Sequence, residues 1–250
     1  MTAVLRLATT TAGQVLGLRR FLGLVALALL PALIVYLSTG RASDASRLET
    51  FAGITVGFFF GIAVPVIALV LSTAALGDER RDQTLSFIVL RPISRFWIAA
   101  AKILAAVTAA GGVAGIGALG LGVAMGLRHG EWGYGIPLVV GAVVATAVYG
   151  AAFVPLGYLT ERATLAGLAF VFILEGAVAG AIAALASVSP WRIGLSAFAA
   201  ISPRGVLAFI PSFALGNVVP GVGGAILKAV VVLAAGTWFT SWILTNRDLV

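Results

Sequence analysis

An all-α integral membrane protein is the fold class this sequence predicts, on three observations. Of 250 residues, 61% are hydrophobic and only 10% charged, against roughly 25% charged in an ordinary soluble domain. Mean hydropathy is +1.12. Uncharged runs also recur at lengths above roughly 18 residues, and about 20 residues at 1.5 Å each cross a hydrocarbon core of about 30 Å. Cysteine is absent and the single histidine, His129, stands in a short polar loop without candidate co-ligands, which argues against a thiolate, metal or hydrolytic centre. The net charge of +7 does not point to nucleic acid, because the Lys and Arg residues are scattered at the ends of apolar runs.

Six spans are expected in one membrane domain over residues 1–250: Phe21 to Ser38, Ile54 to Leu76, Ala99 to Leu127, Ile136 to Leu159, Ala163 to Ser187 and Ala225 to Leu244. Residues 1–20 read either as an interfacial helix, with Val4, Leu5, Leu7, Val15, Leu16 and Leu18 set against Arg6, Arg19 and Arg20, or as a frayed tail. The first span has too long an apolar core and too long a lead-in for a secretory signal. Residues 188–224 are an outer region of short helices, re-entrant or on the surface, broken at Pro203, Pro211 and Pro220. A seventh span within Gly205 to Leu227 is the alternative there.

Orientation follows from the basic residues. With the N-terminus inside, Arg6, Arg19, Arg20, Arg80, Arg81, Arg91, Arg95, Lys102, Arg162 and Arg247 lie on the cytoplasmic side, against Arg41, Arg47, Arg128, Arg192, Arg204 and Lys228 outside. Both termini are then cytoplasmic. Tyr36, Trp132, Tyr134 and Trp191 would mark the outer boundary, and Trp97, Tyr158 and Trp242 the inner one.

The stretch LGDERRDQTLSFIVLRPISRFWIAAAK, Leu76 to Lys102, gathers charge between spans two and three. Asp82 is placed to cap a helix, Leu85, Ile88 and Val89 fall on one face, and Pro92 ends it. This is a two-turn surface helix or an ordinary charged loop held inside by its arginines. Glu175 is the one ionisable residue well inside an expected span, and at roughly 2.5 to 3.5 kcal/mol for a mid-membrane charge it should face protein or water, pair, or be protonated. It serves either a transport path or permease interface, or a structural hydrogen bond to a neighbouring helix. Thr55, Thr108, Thr146 and Thr237 are expected to bond their own helix backbone.

The pattern Glu79, three residues, Gln83-Thr84-Leu85, an apolar run to Leu90, Pro92-Ile93-Ser94-Arg95 and Lys102 resembles the type 2 family of ATP-binding-cassette export permeases. Gln83 stands where that family usually has glycine. The resemblance implies that residues 77–97 form a coupling loop whose helix seats in a separate ATPase subunit, through Glu79, Arg80, Arg81, Thr84, Leu85, Ile88, Val89, Arg91, Pro92 and Arg95. It further implies two ATPase copies holding ATP and Mg, a second permease, identical or homologous, and a place in the bacterial cytoplasmic membrane. This chain has no G-x-x-x-x-G-K-[ST] loop, so it binds no nucleotide by that device and is expected to be non-catalytic. A secondary transporter or channel working without an ATPase is the alternative; it predicts several paired charges or broken helices near mid-membrane.

Overall fold

The computed structural model describes residues 2–40, 43–83, 94–178, 188–215 and 221–246, and among these every regular element is helical. In chain order they are α1 (Thr2–Val15), α2 (Leu18–Ser38), α3 (Asp44–Arg81), α4 (Arg95–His129), α5 (Trp132–Leu159), α6 (Ala163–Ala169, continued to Val178), α7 (Pro190–Ile201), α8 (Arg204–Leu207), α9 (Ser212–Leu215) and α10 (Val222–Asn246). Five of them, α2, α3, α4, α5 and α10, are long and apolar enough to cross a membrane. The expected span Ala163 to Ser187 is described only to Val178, and its apolar helix Ala163–Ile173 is shorter than the other five.

Local signals set the helix ends. Ser43 caps α3 by accepting from the Ser46 backbone N–H at 3.4 Å, and Asp44 adds an acid to the first turn. At 35 residues, about 52 Å long by rise, α4 overshoots the hydrocarbon core. It stops at Gly130, whose φ of 74° closes the helix with its N–H on Gly126 O. Within α3, Ile54–Ala63 winds with wider, i→i+5 bonds before Val64 resumes the α form. Pro65 lacks the N–H that an α-helical carbonyl at Gly61 requires, which favours irregular winding just ahead of it. A second wide stretch, Phe170–Val178, completes α6.

At the centre stands α5, with 72% of its apolar window buried, against 28% for α2 and 11% for α10. Backbones touch where glycine removes the side chain. A Cβ on Gly157 of α5 would lie 2.2 Å from Thr73 O of α3, and one on Gly194 of α7 would lie 2.8 Å from Gly141 O. Between them pack Phe59, Phe60, Phe198, Tyr149 and Phe153. The ends where α2 and α4 finish and α3 and α5 begin are pinned by polar contacts: Arg47 to Glu131 at 2.7 Å, His129 Nε2 with Thr39 Oγ1 at 2.9 Å, and Arg128 over the Tyr36 ring at 4.6 Å.

Of the expected apolar stripe in residues 1–20, Val15 is buried and Leu7 and Leu16 pack partly buried against their neighbours. The face α1 buries is Ala8, Thr11 and Val15, at i, i+3 and i+7, and it lies on Ala101 and Ala105 of α4. Small residues allow close packing there, whereas Leu18 belongs to α2 and is 72% exposed. The outer region does break at Pro203 and Pro211, which separate α7, α8 and α9; Pro220 lies outside the described residues. Rather than lying on a surface, α7 is buried on Ile193, Leu195, Ala197 and Phe198 and runs alongside α5. The expected boundary aromatics differ in how far the bundle covers them. Trp132, Trp97 and Trp242 are exposed, but Tyr134 is buried against Phe51 and Tyr158 is buried beneath Arg80, because each has a partner inside the bundle.

Candidate functional site

Two polar centres occupy this apolar bundle. The first lies where α3 and α4 flank residues 84–93. Lys102, wholly buried, donates to Glu79 of α3 and to Thr11 Oγ1 of α1 at 2.9 Å. Three helices therefore meet on one ammonium. A buried lysine is tolerable only with a carboxylate and further acceptors around it, and both are supplied. Beside it, Asp78 takes Arg20 of α2 at 2.7 Å and also Arg81, while Arg80 donates to Tyr158 O of α5 at 2.6 Å. Arg81 Nε also reaches Gly77 O at 3.3 Å.

Of the expected coupling residues, Glu79 faces inward to Lys102 and Arg80 leans across to α5, while Arg81 is more than half exposed. Arg95 begins α4. Thr84, Leu85, Ile88, Val89, Arg91 and Pro92 lie outside the described residues, and with them the expected surface helix. The chain is described up to Gln83. Asp82 closes α3 with its N–H on Asp78 O, and Gln83 follows at φ 56°, the left-handed conformation that favours glycine. The glycine usual at this position of the motif thus has a physical reason here: the chain leaves α3 through a left-handed turn.

The second centre surrounds Glu175, in the wide stretch of α6. Its carboxylate accepts from the Tyr149 hydroxyl of α5, from Ser189 Oγ at 2.6 Å and from the Trp191 backbone N–H at 2.9 Å. Ser189 is the cap of α7 and accepts from Arg192 N at 3.4 Å. Glu175 therefore sits at the start of α7, where unpaired N–H groups and the helix dipole favour an anion. The Trp191 indole N–H turns the other way and donates to Val56 O, at 3.3 Å, in the wide stretch of α3. The first turn of α7 is thus fastened to both wide stretches. Trp191 is accordingly half-buried against α3, and Arg192, counted with the outer loop, donates to Leu215 O at 3.1 Å.

A sequence profile of the ABC-2 family transporter protein matches residues 19–185. The chain belongs to the ABC-2 transporter family. No curated protein matches it. The family match spans α2 to α6 and so contains Glu79, Lys102, Tyr149 and Glu175, while Ser189 and Trp191 fall beyond it. Family membership and the five long apolar helices make the chain a multi-pass membrane protein. Members of such a family are normally the non-catalytic transmembrane part of an ABC transporter.

Sequence reasoning had placed Glu79 and Lys102 in one motif without seeing that they pair; their separation of 23 positions across two helices hides the contact. The partners of Glu175 were missed because hydroxyls and a tryptophan carry no charge signal. Glu175 itself is hydrogen-bonded to α5 and to the start of α7.

Proposed function

We propose that this chain is the permease subunit of an ATP-driven exporter, forming half of a translocation path and receiving its drive from a separate ATPase. The observation that carries the reading is the buried contact of Lys102 with Glu79 and Thr11, which ties together the two helices on either side of residues 84–93 and the N-terminal helix. A force applied to that segment reaches three helices at once. With Gly77 and Gly157 in backbone contact one turn above, it passes on to α5 as well. In this reading the segment is a cytoplasmic coupling helix, two ATPase copies bind ATP and Mg, a second permease completes the path, both termini face the cytoplasm, and the membrane is the bacterial inner one.

Co-expression with an ATPase encoded alongside tests the proposal. Wild-type chain should co-purify with it and support substrate-stimulated ATP hydrolysis. Leu85→Asp with Ile88→Asp should abolish that stimulation while the chain still reaches the membrane. Unchanged hydrolysis and export in the double variant, or transport without any ATPase, would refute the reading.

A further inference from the structure

At the end of the bundle where α3 stops, a polar cavity of about 350 Å³ opens between α3 and the turn joining α5 to α6. Its volume lies within the roughly 300 to 1,000 Å³ of small-ligand sites. Arg80, Arg81 and Gln83 line one side, and Thr160, Glu161 and Thr164 the other. Neither guanidinium hangs loose. Arg80 is fixed on Tyr158 O at 2.6 Å and over the Tyr158 ring at 5.8 Å, and Arg81 is fixed on Gly77 O and Asp78. Those bonds engage one N–H of Arg80 and two of Arg81, whereas each guanidinium carries five donors.

Depth and charge together select the ligand. The apolar run of α3 ends at Gly77 and α5 ends at Leu159, so the cavity lies at the level of lipid headgroups. A simple anion would meet Glu161 and a simple cation would meet two arginines. A ligand bearing both charges a few atoms apart satisfies both sides. Further along the same pair of helices, Phe153 and Leu156 of α5 and Phe170 and Ile173 of α6 line an apolar groove of about 510 Å³, suited to hydrocarbon. We propose that the cavity binds the headgroup of an amine-bearing zwitterionic phospholipid, its phosphate on Arg80 and Arg81 and its ammonium on Glu161. Phosphate suits the planar fork of arginine, and an ammonium with N–H donors suits a carboxylate better than a fully methylated one. On the orientation proposed above the leaflet is the inner one, but binding does not depend on which side it faces.

Native mass spectrometry of the full chain, purified with its ATPase when the two associate, reads the proposal directly. Delipidated protein is offered phosphatidylethanolamine, phosphatidylcholine, phosphatidylglycerol, soluble phosphoethanolamine and inorganic phosphate in turn. Wild-type chain should retain phosphatidylethanolamine about tenfold better than phosphatidylcholine, the scale of one charge-assisted hydrogen bond. Glu161→Gln should erase that preference while lipid is still retained, and Arg81→Gln should weaken retention of every phospholipid. Thr164→Trp, which fills the cavity without altering charge, should expel the lipid from a normally folded chain. The proposal is overturned by equal retention of the lipids in wild type, by retention unchanged in all three variants, or by binding of the soluble compounds alone. A cross-link from position 161 to the ATPase with no lipid retained overturns it in favour of a protein contact. None of these outcomes depends on transport, so a failure here and a failure of the exporter reading are separable.

Discussion

The two polar centres solve the same problem in opposite ways. At the end of α3 that leads into residues 84–93, Lys102 is buried against a carboxylate, so charge meets charge. At Glu175 one carboxylate is met by a phenol, a serine hydroxyl and a backbone N–H, and among the described residues no cation forms an ion pair with it. A pair of opposite charges holds each partner strongly and punishes loss of either one. Neutral donors spread the stabilisation over several helices, so each contributes less. The Lys102 centre is thus built to keep three helices together as a unit, and the Glu175 centre to seat the start of a short helix.

The largest expected effect comes from splitting the pair. Lys102→Met leaves Glu79 buried without its cation and should cost about 3 to 5 kcal/mol, read as loss of monodisperse protein or a large drop in thermal midpoint in detergent. Adding Glu79→Gln should restore much of it, and a double variant no better than the single one would show that the pair does not couple. At the second centre Glu175→Ala should cost about 3 kcal/mol by stranding three donors, while Glu175→Gln, which keeps an acceptor oxygen, should cost clearly less. Equal losses for the two would mean that charge, not hydrogen bonding, seats α7. Trp191→Phe removes the indole N–H to Val56 O together with part of the packed ring and should lower stability by about 1 to 2 kcal/mol. Last and smallest, Gln83→Gly relieves a left-handed residue and should raise the midpoint by an amount worth about 1 kcal/mol or less. A fall instead would mean that the Gln83 side chain contributes more than its backbone costs.

The same contrast explains what could be read from the chain. Long uncharged runs located α2 to α5 and α10 to within a few residues at most ends, because the bilayer length imposes a strong, local requirement on composition. The exception is α3, which runs on from Ile54 back to Asp44 because Ser43 supplies a cap that hydropathy cannot register. Glu79 and Lys102 stood out as charges near span ends, so half of the Lys102 centre was legible and only the pairing was hidden. Around Glu175 just the acid was visible. Tyr149 lies in an apolar run, and Ser189 and Trp191 lie in a segment whose depth depends on tertiary packing. The wide winding of Ile54–Ala63 left no trace in a stretch that is apolar almost throughout, where no face differs from another.

That winding bears on how motion can pass along α3. A stretch bonded i→i+5 accommodates residues beyond the α-helical count, and each residue taken up or released turns the remainder of the rod by about 100°. Torsion applied at Asp82 thus has a place to be absorbed before it reaches Phe51, without breaking the rod. The portion of the helix before Val56, pinned there by Trp191, can hold its angular setting while the portion toward Asp82 twists.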